Sequence, residues 1–218
     1  NMMMHRHQPM NIYGPPGTSK ILDHLIAACD IPQATGFSVP GQTLPHPRDF
    51  INSRDIQPGE ILYIDDIRIS CCENTHYRPE DQFGKQGPIS RSYRFDAPDR
   101  SMVFTGDTGP CLALEEFAKN ADLLVGELFD TELVINRLRA TNPDMSDHAL
   151  LQMRQHFDEH HLTPEDLGQL ASRAGVKKVV AVHIPFITKS AEEDAKYVSR
   201  ILAKFSGSVT ISEDLATY

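Results

Sequence analysis

The chain has 218 residues, of which 40% are hydrophobic and 23% are charged, a composition typical of a folded globular protein and not of a disordered one. No stretch approaches the roughly 18 consecutive apolar residues that a transmembrane helix needs, so we expect no membrane association. The net charge of −9 disfavours a general nucleic-acid binder, whose affinity depends on neutralising phosphates. The four cysteines have no CxxC spacing and are expected to be free thiols.

Short apolar runs alternate with helical patterns along the chain, which predicts an α/β or layered α+β domain. In the first half we predict a strand at 10–13, a turn at 14–18, a helix at 19–29, strands at 60–64 and 67–71, and a loop at 78–90. In the second half we predict strands at 92–96, 101–105, 121–127, 177–182 and 208–211, and helices at 112–120, 163–174 and 191–205. Residues 131–160 are predicted to form one or two polar helices, interrupted at Asn142-Pro143.

The predicted helix at 163–174 has the clearest local signals. Thr163 is a favoured N-cap residue, and Pro164 suits the first helical position. Asp166 stands at the third position, and Gly175 follows the last residue of the helical pattern. In the shorter helix at 112–120, the side chains expected to face inward are Leu112, Leu114, Phe117 and Ala118.

Three segments place a metal-ligand type of residue just beyond a predicted buried strand. These residues are His76, Asp107 and His183. Strand ends expose side chains that a rigid scaffold holds in place. Imidazole nitrogens and a carboxylate are a natural ligand set for Zn²⁺ or a similar divalent ion. A histidine at a strand end is more often a satisfied polar residue, and Gly-Asp-Thr is more often a turn, so spacing alone leaves both interpretations open.

Taken together, these segments resemble the metallo-β-lactamase fold superfamily of metal-dependent hydrolases, especially its ribonuclease Z-like and phosphodiesterase branch. The stretch 101–127 is similar to the family block of a strand, Gly-Asp-Thr, a helix and Ala-Asp-Leu-Leu-x-x-Glu, and 161–183 is similar to its paired-histidine block. The opening segment 12–18 is similar to the family's Gly-Pro-Pro-Gly-Thr turn. The resemblance implies an αββα sandwich, with residues 1–218 as a single domain and 128–160 as a helical insertion near the active site.

Carried onto this sequence, the resemblance implies a role for five residues. His76 would be a ligand of one metal ion, Asp107 would bridge two ions and take part in catalysis, and His183 would be a ligand of the second. Glu127 and His161 match the pair that assists proton transfer to the leaving group, as a histidine oriented by a carboxylate can do. Two divalent ions are implied, Zn²⁺ or alternatively Mn or Fe, and they would supply a nucleophilic water near neutral pH. The plainer interpretation is that Glu127 is a charge at a strand end and that His161 is a solvated residue before a helix.

The family's His-x-His-x-Asp-His motif, which supplies ligands to both metals, is absent from this sequence. His5 and His7 resemble its first half, but Pro9 stands where the Asp should be, so we interpret both as surface residues. We therefore expect an upstream N-terminal half with the other ligands, and without it weak metal binding and no hydrolysis. No signal-peptide pattern follows Asn1, which is not a natural translation start, so the compartment is left open between cytoplasm and periplasm.

The sequence leaves several functions open. The first is a metal-dependent hydrolase acting on an ester or phosphodiester-type bond of a small substrate, because the helical region 128–160 would cap the site; a homodimer is an open alternative to a monomer. The second is a non-catalytic member that keeps the scaffold for binding. The third, tRNA processing of the ribonuclease Z type, is disfavoured because only 31 positions separate His76 from Asp107, too few for the tRNA-binding arm of that branch. A phosphate-binding loop at 14–20 is disfavoured because it lacks the Gly-Lys-Ser/Thr order.

Overall fold

A computed structural model describes residues 9–31, 46–77, 88–185 and 190–218. The chain forms two compact units, residues 1–57 and residues 58–218. A single domain over the whole chain stays a prediction, and most of the loop expected at 78–90 lies outside the described residues. Among the helices that the structure describes, none is both long and apolar enough to cross a bilayer.

The described residues of the first unit form a two-stranded parallel sheet, one α-helix and a short 3-10 helix at Pro47–Asp49. The strands and the α-helix are β1 (Met10–Gly14), α1 (Thr18–Ala28) and β2 (Ile51–Asp55). The carboxylate of Asp55 accepts hydrogen bonds from the backbone N–H groups of Ser19 and Gly17, each at 2.8 Å. These two bonds hold the pKa of Asp55 below its ordinary value. The first turn of α1 is therefore satisfied by a side chain of its own unit.

The second unit is built on a seven-stranded sheet whose strand order follows the sequence. Its strands are β3 (Ile61–Ile64), β4 (Ile67–Glu73), β5 (Arg91–Asp96), β6 (Ser101–Phe104), β7 (Leu123–Glu127), β8 (Lys178–Val182) and β9 (Ser208–Ile211). The described helices of this unit are α2 (Leu112–Phe117), α3 (Thr131–Thr141), α4 (Asp147–His160), α5 (Pro164–Ala174) and α6 (Ala191–Leu202). Strands β3 to β6 are antiparallel, whereas β6 to β9 are parallel and are connected through helices, as parallel strands require. The α/β prediction is confirmed.

The main core of the second unit lies between its parallel strands and three helices, α2, α5 and α6. Strands and helices contribute fully buried side chains to it, among them Val103, Leu124, Val179, Leu114, Leu167 and Ile201. Each buried aliphatic side chain of this size stabilises the fold by about 1.5–3 kcal/mol relative to exposure. The core therefore fixes the parallel strands, and with them the loops that follow their carboxyl ends.

One predicted inward-facing residue is wrong. Leu112 is 74% exposed, whereas Leu114 and Ala118 are fully buried. At 3.6 residues per turn, positions 112 and 114 point about 200° apart, so a short helix cannot bury both against one surface. The helix also ends at Phe117 and not at residue 120.

Candidate metal and proton-transfer site

The five predicted site residues come to one edge of the seven-stranded sheet. Strands β4, β6, β7 and β8 run in the same direction, so their carboxyl ends share this edge. His76 follows β4, Asp107 follows β6, and His183 follows β8. Glu127 is the last residue of β7, and His161 is the C-cap of α4.

Three of these side chains form a tight cluster. One ligand-type atom each from His76, Asp107 and His161 lies within 4.8 Å of the other two. The rings of His76 and His161 meet edge to face, with their centroids 4.9 Å apart. His183 stands beside the cluster, with Nε2 3.4 Å from Oδ2 of Asp107, and its φ of 55° lies in the left-handed region that residues with side chains seldom adopt.

Glu127 contacts the Nδ1 edge of the His161 ring, and its side chain is only 1% exposed. Its Oε2 is 2.8 Å from Nδ1 of His161, and its Oε1 accepts a hydrogen bond from the backbone N–H of Thr108. Burial raises the pKa of Glu127, and the bonds from His161 and Thr108 oppose this rise. Because a carboxylate only accepts hydrogen bonds, the ionised Glu127 requires a hydrogen on Nδ1 of His161.

Phe129 packs against one face of the His161 ring. The two rings are stacked, with centroids 4.3 Å apart and planes inclined by 20°. The backbone N–H of Phe129 also donates to the carbonyl of Leu162 at 2.7 Å. The orientation of the His161 ring is therefore set by a carboxylate at one nitrogen and by an aromatic face.

The end of helix α4 contacts the segment that carries His76. Nδ1 of His76 is 3.2 Å from the carbonyl oxygen of His160, and Nδ1 of His160 is 2.9 Å from the carbonyl oxygen of Thr75. The side chain of Asn74 accepts from the backbone N–H of His76 and donates to the carbonyl of Thr105. The segment after β4 that carries His76 is thus bonded both to helix α4 and to the residue that follows β6.

The donor set fits a divalent cation of the Zn²⁺, Mn²⁺ or Fe²⁺ type. His76 uses Nδ1 in its bond to a carbonyl, which leaves Nε2 with the lone pair that a metal needs. Asp107 is half-buried and supplies carboxylate oxygens, and His183 supplies a further imidazole beside them. Imidazole nitrogens with a carboxylate are ordinary ligands of such ions.

The predicted grouping of the side chains differs from the observed one in one respect. Sequence reasoning took His76, Asp107 and His183 as the metal ligands, whereas the compact cluster contains His161 in place of His183. Sequence reasoning named Phe129 only as a candidate for an apolar entrance and gave His160 no role, so their contacts with His161 and with the segment of His76 were not predicted. The only sequence signal for them was their position, directly before His161 and two residues after Glu127.

The chain is similar to a known protein family and to characterised sequences. A family model described as a beta-lactamase superfamily domain matches residues 1–184. A ribonuclease Z from Mycobacterium avium (strain 104) is 26% identical over 208 residues, which are 95% of this chain and 66% of that protein. The chain therefore spans just under two thirds of the length of this curated relative.

Solved structures share the fold at low sequence identity. The Zn²⁺-bound PqqB from Methylobacterium extorquens has a TM-score of 0.57 and 15% identity over 98% of this chain and 66% of that one. The short form of human tRNase Z has a TM-score of 0.51 and 13% identity over 97% of this chain and 68% of that one. With the family match over most of its length, the chain belongs to the beta-lactamase superfamily and has the metallo-β-lactamase fold.

Proposed function

We propose that the protein is a metal-dependent hydrolase that cleaves an ester or phosphodiester-type bond of a small substrate. The observation that carries the proposal is the cluster of His76, Asp107 and His161, whose ligand-type atoms lie within 4.8 Å of one another although they follow three different elements of the fold. The family to which the chain belongs and the ribonuclease Z relatives support hydrolysis. The proposal applies to the protein in which the family's His-x-His-x-Asp-His ligands complete the site.

In this proposal His76, Asp107 and His183 would hold the divalent ions. Such ions would supply a nucleophilic water near neutral pH. Zn²⁺ suits the donor set, and Mn²⁺ or Fe²⁺ are the alternatives.

The proton for the leaving group would come from His161. The Glu127 carboxylate holds the hydrogen of His161 on Nδ1, so the second proton of the imidazolium sits on Nε2 and is the one to be donated. The buried Glu127 and the stacked Phe129 keep the ring in one orientation while the proton moves. A positioned acid of this kind contributes about 10²- to 10⁴-fold to the rate.

The small-substrate proposal is supported by the helices α3 and α4, which lie between Glu127 and His161 in the chain. Within residues 128–160 the two helices span Thr131–Thr141 and Asp147–His160, and the last turn of α4 contacts the segment of His76. Their origin as an insertion near the active site is part of the proposal. Such a cap would favour a compact substrate over a polymer.

The test uses the full-length gene product, with metal content measured by mass spectrometry and hydrolysis followed with bis(4-nitrophenyl) phosphate and 4-nitrophenyl acetate. Asp107→Ala should lower metal content and rate together. His161→Ala should keep the metal and lower kcat by about 10²- to 10⁴-fold. Asp99→Ala, at an exposed turn, is the matched control and should change neither.

Three results would contradict the proposal. An unchanged rate in Asp107→Ala would remove Asp107 from the site, and loss of metal in His161→Ala would make His161 a ligand and not a proton donor. Bound metal without turnover of either substrate would favour the non-catalytic binding member of the fold.

A second candidate is a ribonuclease Z-type nuclease, which the names of the sequence relatives favour. The net charge of −9 and the short segment between His76 and Asp107 argue against a tRNA substrate. Cleavage of a precursor tRNA by the full-length protein, faster than cleavage of the two small substrates, would reverse the order of the two proposals.

A further inference from the structure

His160 makes two contacts to the segment that holds His76. It is the last residue of α4 and is buried, which is unusual for that helix, since only Leu150 and His160 among its described residues are buried. Its ring nitrogen Nδ1 lies 2.9 Å from the carbonyl oxygen of Thr75, and its own carbonyl oxygen lies 3.2 Å from Nδ1 of His76. The two bonds run in opposite directions between the same two segments, so they form a reciprocal pair.

The partners determine which nitrogen of each ring carries hydrogen. A carbonyl oxygen can only accept, so Nδ1 must be the N–H donor in both His76 and His160. His76 is thereby left with Nε2 as its one lone-pair nitrogen. A histidine that binds a metal through one nitrogen is commonly oriented by a hydrogen bond from the other, and this bond also fixes its tautomer.

The carbonyl of His160 is available because it stands at the end of a helix. The last four carbonyl groups of an α-helix have no partner within it, so they can accept from outside. A histidine at a helix C-terminus is also favoured by the helix dipole, which by itself would explain the residue type. The dipole explains neither its burial nor the bond from its ring to Thr75, which anchors the end of the helix beside His76.

We infer that His160 is a positioning residue of the proposed metal site: its ring, bonded to Thr75, holds its own carbonyl against Nδ1 of His76 and so presents Nε2 of His76 as the ligand atom. The inference rests on the proposed function only in assigning a metal to His76. The hydrogen-bond pair and the tautomer can be tested without metal.

The first measurement is the nitrogen-15 spectrum of the histidine rings in the metal-free full-length protein at about pH 8.5, where model imidazoles are neutral. The His76 signals are assigned by their loss in His76→Gln. The wild-type protein should show His76 with hydrogen on Nδ1. In His160→Leu, which keeps the volume but removes the donor, the His76 shifts should move toward the average of two tautomers.

His160→Asn is the rescue variant, because its amide nitrogen lies as many bonds from the backbone as Nδ1 does and can donate to Thr75. It should retain the wild-type shifts of His76. His148→Ala, at an exposed histidine of the same helix, is the control and should leave them unchanged. If His160→Leu does not fold, His160→Gln replaces it. Its amide nitrogen lies one bond farther from the backbone than Nδ1, so it should not reproduce the bond to Thr75.

The second measurement is a Zn²⁺ titration of the same proteins. His160→Leu should weaken binding by about 10- to 100-fold, as the loss of a residue that orients a metal ligand does, while His160→Asn and His148→Ala stay within about threefold of the wild type. Unchanged tautomer and affinity in His160→Leu would overturn the inference, as would equal losses in His160→Leu and His160→Asn. A His160-dependent tautomer in a wild-type protein that binds no metal would uphold the positioning of His76 and overturn the proposed function instead.

Discussion

Helices α4 and α5 follow each other along the chain with three residues between them, yet α5 packs into the core whereas α4 contacts the candidate site. Helix α5 buries one whole face, and its buried residues are Pro164, Leu167, Gly168, Leu170, Ala171 and Ala174. Helix α4 is longer but buries only Leu150 and His160. Its last turn, however, provides the carbonyl that binds His76 and leads directly into His161. Helix α5 is thus a part of the core, and α4 serves mainly to bring two histidines to the sheet edge.

This difference separates stability from site geometry. Burial of apolar area dominates the stability of a domain, so changes in α5 should act mainly on the free energy of unfolding. The end of α4 contributes little apolar area but several directed hydrogen bonds, so changes there should act mainly on metal affinity. The following substitutions test whether the two helices can be separated in this way.

The largest effect on stability is expected for Leu167→Ala. Leu167 of α5 is fully buried against strand β7. Its truncation leaves a cavity and should lower the free energy of unfolding by about 2–5 kcal/mol. Urea denaturation of the metal-free protein measures this change in the free energy of unfolding. Zn²⁺ affinity at a temperature where the variant is folded should stay close to the wild-type value.

Leu151→Ala in α4 is the matched control, because it is the same truncation at a side chain that is 62% exposed. It should change the free energy of unfolding by less than about 0.5 kcal/mol. A loss in Leu151→Ala as large as that in Leu167→Ala would show that α4 packs against something that its exposed face does not reveal.

A pair of glycines tests the comparison with the same substitution, because an added Cβ at either one would clash with backbone. A Cβ at Gly109, in the loop after β6, would come 1.9 Å from the carbonyl oxygen of Glu159 in α4, and a Cβ at Gly168 in α5 would come 2.4 Å from that of Ile201 in α6. Both contacts are with backbone, so neither neighbour can simply rotate away. Gly109→Ala and Gly168→Ala should each lower the free energy of unfolding by on the order of 1–3 kcal/mol.

Only Gly109→Ala should also weaken Zn²⁺ binding, because it displaces the end of α4 from the segment of His76 and Asp107. Parallel urea denaturation and Zn²⁺ titration of the two variants measure both quantities. Equal affinities in the two variants would mean that the position of α4 does not matter to the site.

The elements of α5 and of the sheet were predictable because their signals are local. Thr163 caps α5 and accepts from the backbone N–H of Asp166, whose side chain in turn accepts from the N–H of Thr163, so the predicted helix start is confirmed at the residue. The strands of the seven-stranded sheet lie within two residues of the predicted ranges, because short apolar or alternating runs next to turn residues leave few alternatives. The exposure of Leu112 was not predicted. Whether Leu112 is buried depends on which face of a six-residue helix packs against the sheet, and the sequence does not show this.

The site was predictable only in part. The positions of His76, Asp107 and His183 after strands, together with the family resemblance, predicted where candidate ligands stand in the chain. The contacts of His160 with Thr75 and His76 join residues 85 and 84 positions apart, and no pattern in the sequence indicates such a pair. Directed contacts of this kind depend on how loops and helix ends meet, which is decided by the tertiary packing and not by local preference.

The smallest effect is expected for Glu165→Gln, which tests whether α5 is held by charge as well as by burial. Arg200 of α6 binds both oxygens of Glu165, at 2.7 and 2.8 Å, and this contact holds the pKa of Glu165 below its ordinary value. A carboxyl whose pKa is lowered by folding stabilises the protein above its unfolded pKa of about 4.3, and this stabilisation is lost as the pH falls through the folded pKa. The wild type should therefore exceed Glu165→Gln in free energy of unfolding at pH 7, and the two should converge in acid.

Because the side chains of Arg200 and Glu165 are 35% and 41% exposed, the difference in free energy of unfolding should stay below about 1 kcal/mol and shrink in high salt. Glu192→Gln, in a pair that is more exposed, is the control and should differ from the wild type by less than about 0.5 kcal/mol. A difference that persists unchanged into acid would assign the role of Glu165 to packing of its side chain and not to its charge.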